Sequence, residues 1–400
     1  MLKYIHIKNQ VKGKTMLLYN GNIHTMSGVT IKNGAVLITD GKIDKVLYNL
    51  ECSPAQDDID LKGGDLYPGF IDAHTHLGMI EDGLGFEGDD SNEETDPVTP
   101  QLRSIDAINP MDDCFKEALF GGITTVLTGP GSANPIAGQI TAIKTYGKRI
   151  DDMILGTVGM KLSLGENPKT VYNDKDVTPV TRMATAALIR EALFKAKKYD
   201  HDIKDAEENS ELDPPEFDMK SEALLPLVRK EIKAHFHCHR ADDIFTAIRI
   251  SKEFDLDYVI IHGTEGHLIA DILGEENSEI VVGPVLCDRS KPEMKRLSSD
   301  NAFKLNENGV KLALCTDHPV IPVQYLPICA GICVKNGLPF ESAIRAITID
   351  AAKISGIDKA VGSIEEGKDA DFVMFDGNPL EVMSKPIFVM VNGKVVLKEI

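Results

Sequence analysis

The stretch Tyr67-Pro68-Gly69-Phe70-Ile71-Asp72-Ala73-His74-Thr75-His76-Leu77-Gly78 decides how the fold of this chain is interpreted. A Pro-Gly pair introduces an apolar run that ends in two histidines separated by one residue. Because side-chain direction on a β-strand repeats every second residue, both histidines point to the same side of a strand end. Neutral imidazole is a common zinc ligand, so the pair predicts half of a metal site. A histidine pair alone is weak evidence, and ligands from elsewhere in the chain have to complete the site.

Apolar strands alternate with helices through the middle of the chain. This alternation is typical of an α/β fold in which crossover helices connect parallel strands. A chain of 400 residues accommodates a (β/α)8 TIM barrel of about 250 residues and a smaller second unit, so we predict a barrel domain over residues 67–357. The polar, acidic segment 199–218 is predicted to be a surface excursion. The predicted strands include residues 122–128, 154–162, 232–239, 258–262, 279–286 and 310–317, and the predicted helices include 183–198, 242–254, 291–307 and 340–354.

Both ends of the chain have a different pattern, in which turn dipeptides separate short β-rich pieces. Asn20-Gly21 and Asp40-Gly41 follow such pieces near the N-terminus, and Asn392-Gly393 separates two of them near the C-terminus. These dipeptides are typical of β-hairpins. Neither end is long enough for a sheet domain of its own, so we predict that residues 1–66 and 358–400 pair into one small β-sandwich domain.

Metal-ligating residue types recur at the predicted strand ends. In a parallel barrel, catalytic side chains come from the C-terminal ends of the strands. His74 and His76 end one strand, His237 lies near the end of a second, and His262 and Asp317 close two later ones. Four histidines and an aspartate that converge from four strands predict a metal site more strongly than the first pair alone.

The net charge of the chain disfavours two classes of binding partner. A formal net charge of −19 disfavours binding to nucleic acid or to an anionic membrane surface, since both require a basic face. The N-terminal residues lead into no apolar signal core, and no apolar run is long enough to span a bilayer. We therefore expect a cytoplasmic protein that acts on a small-molecule substrate. The seven scattered cysteines are atypical of a disulfide framework.

Several of these motifs together resemble the amidohydrolase superfamily. They are Pro68–His76, Gly121–Thr125, the later single histidines, Thr316-Asp317 and the tail Gly362–Asp371. The resemblance spans nearly the whole chain in the expected order and is closest to the branch that contains imidazolonepropionase and metal-dependent dipeptidases. It implies a metal-bearing (β/α)8 barrel with a β-sandwich built from both termini. Cytosolic members commonly form dimers or larger rings, so a homo-oligomer is implied as well.

The resemblance implies two alternative arrangements of zinc ligands. In a binuclear site, one ion binds His74, His76 and Asp317, the other binds His237 and His262, and a bridging residue lies between them. In a mononuclear site, His74, His76, His237 and Asp317 bind the ion, and His262 acts as an electrophile or substrate contact. Both alternatives remain open at this point.

Two residues compete for the bridging position of the binuclear arrangement. Gly159-Met160-Lys161 resembles the pattern of isoaspartyl dipeptidases, in which a carbamylated lysine bridges the metals. A buried ammonium is costly unless it is neutralised, and carbamylation would convert Lys161 into an anionic ligand. Glu166, just past the same strand, is the alternative bridge because a carboxylate needs no modification.

The loops that follow the strands supply candidate substrate contacts. His239 and Arg240 directly follow the strand of His237 and could bind a carboxylate or an oxyanion. Second-shell support, or an ion pair of Arg240 with a nearby aspartate, explains them equally well. The Gly/Pro loop Gly129–Gln139 follows another strand end, and we take Gln139 as its candidate substrate ligand.

The implied reaction is metal-dependent hydrolysis of a carbon–nitrogen bond in a cyclic amide, an amide or a dipeptide-like substrate. A bound metal lowers the pKa of water from about 16 toward about 7 and polarises the scissile carbonyl. Asp317 would accept the proton of the water and pass it to the leaving nitrogen, with His262 beside it. A metal-dependent deaminase is the first alternative. A non-catalytic amidohydrolase-like barrel is the second, and the presence of the candidate ligands argues against it.

Overall fold

A computed structural model describes residues 15–48, 55 and 57–400 of the chain. The rest of the predicted terminal domain, residues 1–14, 49–54 and 56, lies outside the described residues. Within the described ranges the chain forms sixteen strands in two eight-stranded sheets. The strands are β1 Thr15–His24, β2 Thr30–Thr39, β3 Lys42–Leu47, β4 Ile59–Asp60, β5 Asp65–Pro68, β6 Phe70–Thr75, β7 Ile123–Thr128, β8 Ile136–Lys144, β9 Ile154–Ser163, β10 Lys233–Cys238, β11 Tyr258–His262, β12 Glu279–Val282, β13 Lys311–Leu314, β14 Phe372–Phe375, β15 Pro386–Val391 and β16 Lys394–Lys398.

Strands β6 to β13 form a nearly closed barrel in sequential order. Neighbouring strands are parallel except at β8, which runs antiparallel to both β7 and β9. The connections into and out of β8 span only residues 129–135 and 145–153. A parallel crossover needs a dozen or more residues, so these short connections force the antiparallel direction. The predicted (β/α)8 alternation is therefore interrupted at β8, and the predicted loop 129–139 ends at Pro135.

Buried Asp72 on β6 holds the first and last barrel strands together. Its carboxylate accepts hydrogen bonds from the backbone N–H of Thr316 at 3.2 Å and from the Thr316 hydroxyl at 2.5 Å. The backbone N–H of Asp317 donates to the carbonyl of His74 at 3.2 Å. These bonds place Asp317 beside the β6 histidines, although Asp72 and Thr316 are 244 positions apart in the sequence.

Strands from both ends of the described chain form the second sheet. Its order is β16-β15-β14-β5-β1-β2-β3, with β4 paired to β1. The two ends join where β5 pairs antiparallel with β14, with Pro68 opposite Phe372. One sheet is present at this position, so the second layer of a sandwich stays a prediction. The predicted domain boundary after residue 66 falls within β5 and also stays a prediction.

The helices of the described residues lie mainly between the barrel strands. The α-helices are α1 Asp113–Phe120, α2 Glu166–Asn173, α3 Arg182–Glu208, α4 Met219–Val228, α5 Ala241–Phe254, α6 Ala270–Glu275, α7 Asn301–Glu307, α8 Leu326–Lys335, α9 Phe340–Ala346 and α10 Ile349–Ile354. Single 3-10 turns occur at Gly85–Gly88, Ser104–Asp106, Ile150–Asp152, Gly266–Leu268, Pro292–Met294 and Val323–Tyr325. None of the described helices combines the length and apolarity required to cross a membrane.

Three of the predicted helices differ from those in the structure. Helix α3 continues through residues 199–208, which we predicted to be a surface excursion. Ion pairs one turn apart, Lys198 with Asp202 and Lys204 with Asp200, stabilise this polar extension. The predicted helix 291–307 is divided into a 3-10 turn and the short helix α7, and the predicted helix 340–354 is divided into α9 and α10.

A buried ion-pair cluster joins the barrel to the second sheet. Lys144 ends β8, and its ammonium, 2% exposed, lies 2.9 Å from Asp369 and also contacts Asp371, which comes directly before β14. Asp369 accepts a second hydrogen bond, from the Lys42 ammonium of β3 at 2.5 Å. Without Lys144, the Asp371 carboxylate would lose its cation in a buried environment.

We expect the substitution Lys144→Met to destabilise the fold by about 3–5 kcal/mol, because it leaves buried carboxylates without their partner. Urea unfolding followed by circular dichroism measures this change. The matched control is Lys195→Met on the surface of α3, where the ion pair with Glu191 is solvent-exposed. Equal unfolding midpoints for the two variants would contradict a stabilising role of the cluster.

Candidate metal centre

The six residues predicted as metal ligands lie at the same end of the barrel. All of them except His74 line a cavity of about 270 Å³, which His239 also lines, and His74 lies directly beside it, 3.0 Å from the Lys161 ammonium. Each comes from the C-terminal end of its strand or directly follows it, as expected for a barrel enzyme. The six are His74 and His76 at the end of β6, Lys161 on β9, His237 on β10, His262 on β11 and Asp317 after β13.

One group of ligand atoms forms around Asp317. The Nε2 atoms of His74 and His76 each lie 3.5 Å from Asp317 Oδ1. The Lys161 ammonium donates to His74 Nε2 at 3.0 Å. Ligand atoms of His74, His262 and Asp317 lie within 4.8 Å of one another, which is close enough for one ion to contact all three.

A second group consists of His237, His239 and His262. Their ligand atoms also lie within 4.8 Å of one another. The ring of His239 stacks on that of His262 with 4.7 Å between the centroids, and the His237 ring stands edge-on to both. His262 belongs to both groups, so the two groups adjoin.

Backbone carbonyls orient two of the imidazoles. His76 Nδ1 donates to the carbonyl of Gly129, and His262 Nδ1 donates to the carbonyl of Gly283, both at 2.7 Å. These bonds place the proton on Nδ1 and leave the Nε2 lone pair directed at the cavity. Metal-ligating histidines typically make such a bond through the nitrogen that does not bind the ion.

Burial lowers the pKa of four imidazoles, those of His74, His237, His239 and His262, and keeps them neutral at physiological pH. It lowers the pKa of His262 to about 4, and it holds the pKa values of His74, His237 and His239 well below their ordinary value. Burial alone would raise the pKa of Asp317, but the neighbouring His262, His76 and Lys161 hold it below its usual value. The group therefore offers neutral nitrogens and an ionised carboxylate, the forms that bind metal ions.

Lys161 is the most unusual residue of the site, since its side chain is fully buried. Burial lowers its pKa to about 8, although the negative charge of Asp317 opposes this shift. A buried lysine with a lowered pKa has more of the neutral amine that carbamylation requires. Its contact with His74 places the amine beside the first ligand group.

Two of the ligands have a strained backbone. His262 and Asp317 adopt positive φ angles of 73° and 56°. This left-handed conformation costs a residue with a side chain about 1–3 kcal/mol, and it persists only where the surrounding structure determines it. At both positions it turns the side chain into the cavity at the point where the strand ends.

The other predicted site residues lie away from the cavity. The Glu166 carboxylate accepts the backbone N–H of Glu293 at 3.4 Å. Arg240 is 41% exposed and pairs with Asp242 at 2.8 Å, which is the simpler of the two interpretations given to it above. Gln139 lies within β8, where its backbone N–H donates to the carbonyl of Leu102. These three residues are not among those that line the cavity.

Sequence reasoning missed Glu293, a carboxylate that is 2% exposed and faces the second group. Its Oε1 lies 3.7 Å from His239 Nε2 and 4.0 Å from His237 Nε2. Burial raises the pKa of Glu293 to about 7. Lys291 of the same loop lines the cavity and donates to Asn167 at 3.0 Å. Both residues fall in the predicted helix 291–307, and only their place after the strand that follows His262 could have pointed to the site.

The residues at this site fit a divalent metal. Among the described residues, Glu293 Oε1, which faces the Nε2 atoms of His237 and His239, is buried without a hydrogen-bond partner. Buried polar atoms are rarely left unpaired in native proteins, and each unpaired one costs free energy. Neutral imidazoles with carboxylates are a donor set typical of zinc.

A model of the Amidohydrolase family matches residues 66–396, a range that contains all of these residues. The chain belongs to the amidohydrolase family. This membership confirms the superfamily prediction and places the chain among hydrolytic enzymes.

Three similar proteins illustrate the relationship. A crystal structure of an amidohydrolase from Thermotoga maritima is 41% identical, covers 96% of this chain and all of its own, and superimposes with a TM-score of 0.91. Amidohydrolase tasK of Hapsidospora irregularis is 28% identical over 90% of this chain, which spans only 39% of that protein. Imidazolonepropionase of Symbiobacterium thermophilum is 24% identical over 86% of this chain and 84% of its own length.

Zinc should stabilise the folded protein through this site. At a zinc concentration 100 times the dissociation constant we expect about 2.7 kcal/mol of stabilisation, because the ion binds the folded chain. Thermal unfolding of chelator-treated protein with and without zinc measures it. The double variant His74→Asn/His76→Asn should lose most of this effect, whereas His201→Asn, at an exposed histidine of α3, should keep it. Full stabilisation of the double variant would place the bound zinc elsewhere.

Proposed function

We propose that this protein is a metal-dependent hydrolase that cleaves a carbon–nitrogen bond. The observation that carries this proposal is the cluster of His74, His76, His262 and Asp317 at one end of the barrel, beside a cavity that the last three residues and buried Lys161 line. Membership of the amidohydrolase family supports the same reaction class. The names of two relatives, amidohydrolase and imidazolonepropionase, support an amide or a cyclic amide as the substrate class. A dipeptide-like bond is retained as a proposal from the sequence resemblance alone.

We assign His74, His76, Lys161, His237, His262 and Asp317 as the residues that would hold one or two divalent ions, with zinc as the proposed metal. When bound there, such an ion supplies a more acidic water and polarises the scissile carbonyl. Side chains of the protein would supply proton transfer and substrate positioning.

Asp317 is the proposed proton carrier. Its carboxylate stays ionised because of its imidazole and lysine neighbours, and it faces the cavity. It would accept a proton from water and return it to the leaving nitrogen, so the products leave as a carboxylate and an amine. His262, with its proton held on Nδ1 by the Gly283 carbonyl, would present the Nε2 lone pair to an ion at the cavity and so position that ion against the substrate.

Replacing the proton carrier should stop turnover without unfolding the chain. We expect Asp317→Asn to reduce kcat by about 10²–10⁴-fold, the usual contribution of a general acid–base residue. A panel of N-acyl, cyclic-imide and dipeptide substrates identifies a working substrate first, and steady-state kinetics then measures the effect. The control is Asp288→Asn, at an exposed acid of the loop after β12. Turnover by Asp317→Asn at the parental rate would refute the assignment.

The same panel separates the hydrolase from the deaminase alternative, since a deaminase releases ammonia from every substrate that it turns over. Hydrolysis of a substituted amide instead releases an amine. Hydrolysis of a cyclic imide opens the ring and releases no separate amine, so its ring-opened product is measured instead. The absence of ammonia, amine and ring-opened product with every member, with the metal loaded, would favour the non-catalytic alternative.

We propose that Lys161 is carbamylated. Its burial and its contact with His74 support this modification over a bridging role of Glu166, whose carboxylate bonds to the Glu293 backbone. Metal occupancy per chain should therefore rise when bicarbonate is added to the growth medium. The rise should be seen in the parent and in Glu166→Gln but not in Lys161→Met, as measured by inductively coupled plasma mass spectrometry. A bicarbonate response that survives in Lys161→Met would rule out the carbamate.

Three further properties are proposed from the sequence. We propose that residues 67–357 form the metal-binding barrel domain and that 1–66 with 358–400 form a β-sandwich domain beside it. We propose a cytoplasmic location and a homo-oligomer. His239, Arg240 and Gln139 are retained as proposed substrate contacts, of which His239 lines the cavity.

A further inference from the structure

Lys291 places a positive charge in the cavity that the proposed metal chemistry does not use. Apart from histidines, the charged residues that line the cavity are Lys161, Lys291 and Asp317. Lys161 contacts His74, and Asp317 belongs to the ligand group around that histidine. Lys291 reaches the same space from the loop after β12, directly before the 3-10 turn Pro292–Met294. It is therefore the cation that remains for a bound substrate.

No carboxylate of residues 15–48 or 57–400 forms an ion pair with Lys291. Its ammonium donates a hydrogen bond to the amide oxygen of Asn167 at 3.0 Å. The carboxylate of Glu293, two positions further on, is directed elsewhere, because its Oε2 accepts the backbone N–H of Glu166 and its Oε1 faces His239. An ammonium carries three donor hydrogens, and the bond to Asn167 uses one of them. An acceptor on a bound molecule can take the others.

Asn167, at the start of α2, holds a second donor beside Lys291. Its amide nitrogen donates to the Ser132 hydroxyl oxygen at 2.6 Å. Ser132, in the loop between β7 and β8, lines the cavity as Lys291 does. Because the hydroxyl oxygen accepts from Asn167, the hydroxyl hydrogen points away from that amide and can be donated to a ligand. One side-chain amide therefore positions both an ammonium and a hydroxyl at the cavity wall.

This pair of donors lies close to the residues that would hold the metal. The amide nitrogen of Asn167 is also 3.4 Å from His237 Nε2, so a single amide group separates the Lys291 ammonium from a proposed metal ligand. One residue of an extended chain spans about 3.3–3.6 Å. A group that Lys291 binds would therefore lie one or two residues from the bond that is cleaved.

We propose that Lys291 and Ser132 bind a carboxylate of the substrate, with Asn167 as their positioning residue. The inference rests on the proposed hydrolase function and deepens it, because it selects amides that carry a carboxylate one or two residues from the scissile bond. The ammonium and the hydroxyl can each bond one carboxylate oxygen, and charge-assisted bonds are stronger than neutral ones. A neutral cyclic imide leaves the Lys291 charge without a partner and is disfavoured.

Matched substrate pairs test this role in the metal-loaded, full-length protein. Each N-acyl amino acid and each dipeptide of the panel is compared with the analogue in which CH₂OH replaces the free carboxylate. We expect the parent to prefer the carboxylate member in kcat/KM by about 10–100-fold, the equivalent of one charge-assisted hydrogen bond. Lys291→Met should lose this preference mainly through a higher KM, because the bond is present in the bound substrate and in the transition state alike.

Three further variants separate the charge of Lys291 from its packing. Lys291→Arg keeps a cation in the cavity and should retain part of the preference. Lys295→Met, at an exposed lysine of the same loop that does not line the cavity, should behave as the parent does. Ser132→Ala, which removes one neutral donor, should lower the preference by about 2–10-fold, and it decides the question if Lys291→Met does not fold.

Three results would overturn the inference while leaving the proposed function intact. They are equal turnover of both members of every pair by the parent, a Lys291→Met variant that keeps the parental preference, and hydrolysis confined to substrates without a carboxylate. Absence of turnover of every panel member by the metal-loaded parent would instead refute the proposed function itself.

Discussion

The structure depends on one constraint at the C-terminal end of the barrel. Ionisable side chains are buried there, with a polar atom that accepts no hydrogen bond from the described residues. Lys161 is fully buried, and Oε1 of buried Glu293 has no hydrogen-bond partner among the described residues. Burial of such groups costs free energy unless a hydrogen-bond partner or a counter-ion compensates for the lost water. A bound cation does so for nitrogen and oxygen donors at once.

Hydrogen bonds and ion pairs outside the metal site hold these side chains in position. The Asp72 carboxylate ties β6 to the residues after β13 and thereby sets the position of Asp317. The Lys144 cluster ties β8 to the strand β14 of the second sheet. The positive φ angles of His262 and Asp317 lower the stability of the fold, and they direct the side chains of these two metal-ligand residues into the cavity.

The sequence was informative where a residue's role follows from local spacing. The His-x-His pair and the residues at later strand ends predicted the cluster because strand ends of one barrel share a rim. Gly159, noted only for its place before Lys161, has a packing reason as well, since a Cβ there would lie 2.5 Å from the His235 ring. The antiparallel β8 was missed because its first residues continue a Gly/Pro loop, although the short connections around it already excluded a parallel strand.

Other features could not be inferred from spacing. Glu293 lies in a loop whose path depends on tertiary contacts, such as the bond of its carboxylate to the Glu166 backbone. Arg240 is adjacent to a site residue in sequence but turns to Asp242 and solvent. For both residues, tertiary contacts set the direction of the side chain, and strand or helix periodicity does not. Residue type and sequence position therefore could not predict where these side chains point.

The most direct test of the central claim is an anomalous difference map from a crystal of the zinc-loaded protein, recorded at the zinc absorption edge. The account predicts a peak at about 2.0–2.2 Å from Nε2 of His74, Nε2 of His76 and a carboxylate oxygen of Asp317. A well-ordered crystal without a peak at that position, with these three side chains placed as described here, would contradict it.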